Sequence, residues 1–212
     1  HWLFLRMKQC AWPALQAAPR SNLHATVRDA SPLASLALFD EPALQYLSAH
    51  SLVQRKYIPL AKINSSTPTN SNSRIRIAYF SGDLCTHAVG LLLPEIIEAH
   101  DKTKFEVIAF DYSPEDGSVC RERLKRAFEL WIDLKGQSDA EVIACIRQFE
   151  VDVLIDLHGL SAGGRPGVMA QRPARFQGVY LGFMGTTGMP WVDFVVTDRY
   201  AWPKDGAMYY NE

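Results

Sequence analysis

The stretch VDVLIDL, residues 151–157, decides the fold class of this chain. It is almost continuously apolar, which is typical of a central parallel strand that helices cover on both faces. Before it, residues 139–149 have the apolar spacing of an amphipathic helix, with Ser138 as N-cap and Glu141 completing a capping box. After it come a glycine-rich loop and a short helix near residues 165–170. Strand and helix therefore alternate around this stretch.

The same alternation extends in both directions along the chain. Further apolar runs predict strands at residues 75–80, 105–112, 130–134, 176–181 and 194–197, and helical patterns lie near residues 89–100 and 119–128. Because strands alternate with helices of this length, the sequence predicts an α/β fold with a doubly wound, mostly parallel sheet.

The first part of the chain is expected to be helical. Residues 1–57 carry apolar residues at helical spacing, and one helical stretch covers residues 32–53. Within it, the step Asp40-Glu41-Pro42 predicts a helix start, with Asp40 as the cap and the proline in the first turn.

A polar run separates this segment from the sheet. Residues 58–73 include NSSTPTNSNS, which offers almost nothing to bury and predicts a linker. Residues 74–212 then form the sheet-containing domain. The chain starts without a methionine inside an apolar helical pattern and stops with no terminating signal. We therefore expect a piece of a longer protein.

The composition argues against several classes of function. The 22 Lys and Arg residues balance 23 Asp and Glu residues, so nucleic acid is not an expected partner. The four cysteines are scattered and have no histidine at metal-ligand spacing, which predicts neither a disulfide framework nor a metal site and favours a cytoplasmic location. No apolar run approaches the roughly 20 residues that a membrane span needs, so we expect no membrane contact.

Ligands of open parallel sheets bind beyond the carboxyl ends of the strands, and the loop SGDLCTHAVG, residues 81–90, lies at such a position. In it, Asp83 and His87 come just before a helix. The positive end of a helix disfavours the imidazolium form, so His87 is a candidate neutral base or donor. The alternative is that Asp83 only caps the turn and His87 hydrogen-bonds the backbone.

Two more loops occupy the same kind of position. In DLHGLSAGGR, residues 156–165, three glycines permit a close backbone approach to a ligand, although no P-loop pattern is present. Asp156 and His158 could equally be structural and fix that loop by hydrogen bonds. In LGFMGTTGMP, residues 181–190, small residues leave room for a sugar or phosphate, and the alternative is an ordinary connecting loop.

Five segments carry a resemblance to a known family. They are RPA at residues 172–174 with Gln177, LGFMGTTG at 181–188, DFVVTD at 193–198, YFSGDLCTHAV at 79–89 and DLHG at 156–159. In order and separation they resemble the protein O-GlcNAc transferases (the SPINDLY family), over roughly residues 74–200. Residues 1–55 resemble, far less specifically, the last helices that join the tetratricopeptide repeats of that family to its catalytic region.

The resemblance implies an inverting glycosyltransferase of the two-lobed GT-B architecture that uses neither a metal nor another cofactor. It would move N-acetylglucosamine from UDP-GlcNAc to Ser or Thr hydroxyls of protein or peptide acceptors. Residues 74–212 would be its N-terminal, Rossmann-like lobe, facing the acceptor and the sugar. A C-terminal lobe that binds most of the UDP would follow, and we expect residues 1–212 to be inactive without it.

The resemblance also implies roles for individual residues. His87 matches a histidine proposed as catalytic base or acceptor contact, and Asp83 matches an aspartate proposed to shuttle protons. The expected substrate-binding residues near the sugar are Leu181, Gly182, Met184, Gly185, Thr186, Thr187, Gly188 and, at the end of another strand, Gly159.

Departures from the family pattern keep alternatives open. Met184 stands where a proline is usual, Phe183 where a tyrosine is usual and Leu84 where a phenylalanine is usual. Met184 bears on the sugar pocket, so a transferase that uses another UDP-hexose, such as UDP-glucose, is an alternative. A non-catalytic protein-interaction module is the alternative from a different class, and the retention of Asp83 and His87 argues against it.

Overall fold

The structure is a computed structural model that describes residues 2–13, 23–57, 74–201 and 206–212. The predicted linker, residues 58–73, lies outside the described residues. In the part of the chain that is described, no helix combines the length and apolar character needed to cross a bilayer.

Within the described ranges, six strands form one sheet in which every pair of neighbours is parallel. Their order across the sheet is β3-β2-β1-β4-β5-β6. The strands are β1 (Ile75–Ser81), β2 (Phe105–Asp111), β3 (Leu130–Asp133), β4 (Val153–Asp156), β5 (Phe176–Tyr180) and β6 (Phe194–Val196). This arrangement confirms the fold class predicted from the sequence.

The direction in which the sheet is built reverses between β1 and β4. The chain runs outward from β1 to β3 on one side, and from β4 to β6 on the other. The two central strands pair in a register that sets Phe80 opposite Asp156. Because parallel strands end at the same edge, the loops after β1, β4 and β5 meet at this reversal, where ligands of such sheets bind.

Helices cover both faces of the sheet, since side chains of a strand point alternately to either face. The helices that follow β1 are α5 (Ala88–Leu92), α6 (Pro94–Glu98), α7 (Val119–Ala127), α8 (Asp139–Gln148) and α9 (Pro166–Ala170). One apolar cluster joins Ala78 and Phe80 to α8 and α9, and the other joins Tyr79 to α5, α6 and α7.

The described residues before the sheet are largely helical. They form α1 (Trp2–Lys8), α2 (Leu23–Asp29), α3 (Pro32–Leu38) and α4 (Pro42–Lys56). Val53 of α4 belongs to the same apolar cluster as Phe80, so α4 packs on the sheet domain. A short 3-10 turn, Gly206–Tyr209, packs against α4 as well.

The helices α3 and α4 also press on the loop after β5. A Cβ atom added to Gly185 would lie 2.8 Å from a side-chain carbon of Leu36, and one added to Gly188 would lie 2.9 Å from the backbone nitrogen of His50. The glycines at these two positions therefore allow the close approach of loop and helices.

Some local predictions are confirmed and others need correction. Ser138 and Glu141 form the predicted capping box at the start of α8. The single helix expected near residues 89–100 is two helices, because Pro94 has no N–H with which to continue the first one. The predicted cap at Asp40 is wrong: Glu41 occupies the cap position of α4, with no side-chain cap bond in the described residues.

Candidate functional site at the carboxyl edge of the sheet

Asp83 and His87 lie together in the loop after β1. His87 is the N-cap of α5, and its Nδ1 accepts a hydrogen bond of 3.3 Å from the Val89 N–H. The same Nδ1 lies 3.4 Å from Oδ2 of Asp83. The side chain of His87 is 49% exposed and that of Asp83 is 23% exposed, so the pair is open to solvent.

This geometry leaves two chemical states open for His87. When Nδ1 accepts the Val89 N–H, the proton of the neutral ring is on Nε2, which is then a donor. When Nδ1 carries the proton and turns it toward Asp83, the lone pair on Nε2 becomes available to accept a proton. The carboxylate favours the second state, which is the state a general base needs.

The backbone next to Asp83 is held by the loop after β2 and by helix α7. The Leu84 N–H donates to Oγ of Ser113 at 2.7 Å, and the Leu84 carbonyl accepts from Nη1 of Arg121 at 2.8 Å. Arg121 is itself buried and donates to Asp111 at 2.6 Å. One residue before His87, the Thr86 N–H donates to Asp116 at 2.7 Å. The loop that carries Asp83 and His87 is therefore held in place by hydrogen bonds to residues that follow β2 in the chain.

His158, in the loop after β4, completes this group. Its Nε2 accepts the Gly82 N–H at 2.9 Å and lies 3.4 Å from Oδ2 of Asp83. The ring is 1% exposed and is stacked on Tyr112 with centroids 5.7 Å apart. Burial lowers the pKa of His158, against the opposing effect of Asp83, so the ring is neutral at neutral pH. No local pattern in the sequence marks His158 as a site residue, because its contacts with Gly82 and Asp83 are distant in sequence.

Asp156 takes the structural role that the sequence left open. It is fully buried at the end of β4, and its two carboxylate oxygens accept the N–H groups of His158 and Gly159 at 3.0 and 2.9 Å. Burial raises the pKa of Asp156 to about 7, although both hydrogen bonds act in the opposite direction.

Two of the three glycines in the loop after β4 make room for protein atoms. A Cβ atom on Gly159, which has a φ of +55°, would lie 2.8 Å from the Cβ of Phe183. One on Gly164 would lie 3.1 Å from the Cβ of His158. These contacts account for Gly159 and Gly164 through packing, whereas the expected contact of Gly159 with substrate stays a prediction.

The loop after β5 holds most of the other expected substrate-binding residues. Thr186 and Thr187 are buried, and their hydroxyls donate to the carboxylate of Glu212. The Thr187 N–H donates to the same carboxylate at 2.6 Å. In contrast to these buried threonines, the side chain of Met184 is 79% exposed.

The expected site residues of this loop lie close to the other two loops. A Cβ atom on Gly182 would lie 1.9 Å from the carbonyl oxygen of Leu157 and 3.3 Å from the Cα of His158. Leu181, which has a φ of +71°, packs beside the apolar cluster that contains Leu157. The three loops therefore converge at one edge, with His158 between Asp83 and Gly182.

Another part of the sequence signature holds the fold together. Arg172 pairs with Asp193 at 2.9 Å and donates to the carbonyl of Trp191 at 2.8 Å. The buried amide of Gln177 donates to the carbonyls of Met169 and Trp191, each at 2.9 Å. These bonds connect α9, β5 and the segment before β6, so this part of the signature is structural.

Among the residues that the structure describes, no group of three or more His, Cys, Asp or Glu side chains is arranged to hold a metal ion. Metal independence remains a prediction of the resemblance.

Comparison with known proteins gives consistent matches. Residues 52–212 match the family described as Glycosyl transferase family 41. The chain is 32% identical over 139 residues to the probable UDP-N-acetylglucosamine–peptide N-acetylglucosaminyltransferase SEC of Arabidopsis thaliana, an alignment covering 66% of this chain. It is 31% identical over 143 residues to the UDP-N-acetylglucosamine–peptide N-acetylglucosaminyltransferase of Caenorhabditis elegans, covering 67% of this chain.

A solved structure is also similar. A K341M mutant of the Thermobaculum terrenum O-GlcNAc transferase superposes with a TM-score of 0.72 and 28% identity, over 94% of this chain. The matched region spans 14% of the Arabidopsis protein, 12% of the Caenorhabditis protein and 38% of the Thermobaculum chain.

Proposed function

The chain belongs to glycosyl transferase family 41, and from that premise we propose that it forms the acceptor-side lobe of a protein O-glycosyltransferase. The enzyme transfers N-acetylglucosamine from UDP-GlcNAc to Ser or Thr hydroxyls of proteins, with inversion and without a metal. Two of the similar proteins carry this donor and a peptide acceptor in their names, which supports the proposal.

The observation that carries the proposal is the Asp83–His87 pair. The pair lies where the sheet reverses its direction, and its two side chains are partly exposed while the surrounding backbone is fixed. A partly exposed carboxylate and imidazole 3.4 Å apart suit proton transfer from an acceptor hydroxyl.

The transfer step assigns a task to each group. The acceptor oxygen forms a bond to the anomeric carbon from the face opposite the leaving group, and the bond from that carbon to the diphosphate oxygen breaks. The hydroxyl proton passes to Nε2 of His87, directly or through one water, while Asp83 stabilises the imidazolium. A neutral hydroxyl is a weak nucleophile, so this removal of its proton assists the attack.

The other half of the reaction lies outside this lobe. The leaving diphosphate needs positive charge or N–H donors at the position where its negative charge develops. We assign that task to a C-terminal lobe, with protein acceptors and upstream tetratricopeptide repeats as further partners of the full-length protein. Residues 1–212 alone are then expected to transfer no sugar.

The first test replaces His87 by alanine in the full-length protein. We expect kcat/KM for transfer to fall at least tenfold, because a positioned base contributes ~10²–10⁴-fold in rate. The thermal midpoint is expected to fall only modestly, since the substitution also removes the cap bond to the Val89 N–H. Asp83→Asn is expected to act in the same direction but more mildly. The measurement is transfer from UDP-GlcNAc to a peptide, with melting of the same samples.

His100 offers the matched control. Its Nε2 lies 3.1 Å from the Tyr79 hydroxyl and its Nδ1 lies 2.7 Å from the Ile96 carbonyl, both inside the fold. His100→Ala is expected to lower the thermal midpoint and to leave activity per folded molecule unchanged. The opposite pattern, with stability lost and activity kept in His87→Ala, would make His87 a structural cap only.

A second candidate concerns the donor sugar. Met184 is strongly exposed in the loop after β5, at a position where the family usually has a proline. This difference in the expected sugar pocket makes UDP-glucose the alternative donor to UDP-GlcNAc. The same assay with UDP-glucose decides between them: a higher kcat/KM with UDP-glucose than with UDP-GlcNAc would replace the proposed donor and keep the proposed chemistry.

A further inference from the structure

We propose that His158 is a positioning residue for the Asp83–His87 pair. By accepting the Gly82 N–H, it fixes the backbone directly before Asp83 and sets the direction in which the carboxylate points. The proposal rests on the proposed function for its effect on catalysis, whereas the anchoring itself is a property of the fold.

The contact is direct and enclosed. Nε2 of His158 lies 2.9 Å from the Gly82 nitrogen, and the ring is 1% exposed. The ring of Tyr112 also packs against Gly82 and would lie 2.6 Å from an added Cβ atom. Gly82 therefore contacts both rings, which are stacked on each other.

The bond also determines the tautomer of His158. Because Nε2 accepts a hydrogen bond, its lone pair is occupied and the ring proton is on Nδ1, which lies 3.3 Å from Oγ of Ser161. Burial lowers the pKa of the ring and keeps it in this neutral form. A positively charged ring would have no lone pair with which to hold Gly82.

This anchor extends the pairing of the two central strands. The last backbone bond between them joins the Leu157 N–H to the Phe80 carbonyl at 3.1 Å. The bond from Gly82 to His158 follows it at the open edge, where the two strands separate. Without it, the loop after β1 loses its connection to β4 at the residue before Asp83, while its bonds to the loop after β2 remain.

The anchoring of Gly82 affects the reacting groups through one carboxylate oxygen of Asp83. Oδ2 of Asp83 lies 3.4 Å from Nδ1 of His87 and 3.4 Å from Nε2 of His158. A displacement of about 1 Å in a catalytic site is able to lower a rate about 10²-fold. His158 touches neither the acceptor nor the donor in this proposal and acts through the position of Asp83.

The test compares two replacements in the full-length protein. His158→Gln presents an amide oxygen that is able to accept the Gly82 N–H, whereas His158→Phe keeps a flat ring against Tyr112 and has no acceptor. We expect the Phe variant to lose at least tenfold in kcat, with the KM for the donor changed less than about twofold. The Gln variant is expected to recover most of that loss.

Hydrogen exchange measures the anchor without reference to activity. Exchange in the peptide covering residues 79–88 is expected to be faster in the Phe variant than in the wild-type protein, and close to wild type in the Gln variant. If the wild-type protein transfers no sugar from any donor, the proposed function fails, and this exchange comparison still decides whether His158 anchors Gly82.

Several results would overturn the inference. Equal loss of kcat in both variants would assign the effect to general packing, and an unchanged kcat in the Phe variant would remove His158 from the mechanism. Should the Phe variant fail to fold, the wild-type Gly82 amide is the deciding measurement. It must exchange more slowly than solvent-exposed amides of the same loop, and rapid exchange would refute the anchor.

Discussion

The loops after β1 and after β5 lie at the same edge of the sheet and use their polar groups in opposite ways. In the loop after β1, side chains from other loops hold the backbone, and Asp83 and His87 remain partly exposed. In the loop after β5, Thr186 and Thr187 are buried and bonded to Glu212, and the exposed side chain is the apolar Met184.

This difference shows that similarity to a family pattern does not assign one role to every residue of the pattern. Both loops belong to the segments that resemble the family. One presents ionisable groups to solvent, and the other is shaped by contacts with the helices before the sheet and with the end of the described chain. Both threonine hydroxyls donate hydrogen bonds to Glu212. They therefore contact a sugar only if the loop rearranges, and otherwise only the backbone groups of these two residues are available to it.

The largest expected effect comes from Gly182→Ala, which tests whether the loop after β5 depends on close packing. The new Cβ atom would lie 1.9 Å from the Leu157 carbonyl oxygen, a backbone atom that cannot move aside locally. We expect a loss of ~3 kcal/mol in the free energy of unfolding, because overpacking of this severity shifts the backbone.

Gly117→Ala is the control for this substitution. Gly117 has a φ of +62°, and nothing lies within 4 Å of an added Cβ atom. Only the cost of a left-handed alanine applies there, about 1 kcal/mol. Chemical denaturation of both variants measures the difference, and equal losses would show that the loop tolerates displacement.

A smaller loss in the free energy of unfolding is expected from Glu212→Gln in the full-length protein. The carboxylate accepts hydrogen bonds from both threonine hydroxyls and from the Thr187 N–H, and hydrogen bonds to charged groups contribute about 1.5–3 kcal/mol when formed. Because Glu212 is only partly buried, we expect a loss of about 1 kcal/mol and faster hydrogen exchange across residues 185–189.

The matched control is Glu122→Gln on α7, where the side chain is exposed and pairs with Lys125. Its effect is expected to stay within about 0.5 kcal/mol. If Glu212→Gln leaves the exchange of residues 185–189 unchanged, the loop holds its shape without the carboxylate, and the contrast between the two loops weakens.

For Asp156, between the two loops, the expected effect is a dependence of stability on pH. Its pKa in the folded protein is about 7, above the ordinary value of 3.8. A raised pKa means that the stabilising contribution is complete below pH ~4 and is lost as the pH rises toward ~7. The wild-type protein should therefore lose stability relative to Asp156→Asn between about pH 4 and pH 7, with little further change above.

Thermal melting of both proteins in a series of buffers measures this relation. A stability difference between wild type and Asp156→Asn that is constant over the series would mean that the two N–H donors to Asp156 outweigh burial and keep the carboxylate ionised.

Much of the fold was predictable because local patterns are strong there. The apolar run at β4 and the capping box of Ser138 and Glu141 are local signals, and both agree with the structure. The break at Pro94 was also visible in the sequence, although the apolar spacing on both sides of it suggested one helix. The cap of α4 was misplaced by one residue, since Asp40 and Glu41 are similarly polar.

The site was less predictable because it depends on contacts that are distant in sequence. Asp83 and His87 are four residues apart, so their proximity was a local expectation. The bond from Gly82 to His158 joins residues 76 positions apart and depends on the order of the strands. The hydrogen bonds of Thr186 and Thr187 with Glu212 depend on how the segment after β6 folds back, which no local pattern of the sequence shows.

The contacts of Leu36 with Gly185 and of His50 with Gly188 have a consequence for protein engineering. A chimera made by exchanging segments at the polar run of residues 58–73 would give α3 and α4 a foreign partner. The exchanged helices would then meet a loop that evolved against different side chains. A junction placed before Pro32 keeps both helices with the sheet they press on. Recombination libraries built on this chain should therefore treat residues 32–57 as one block with the sheet domain.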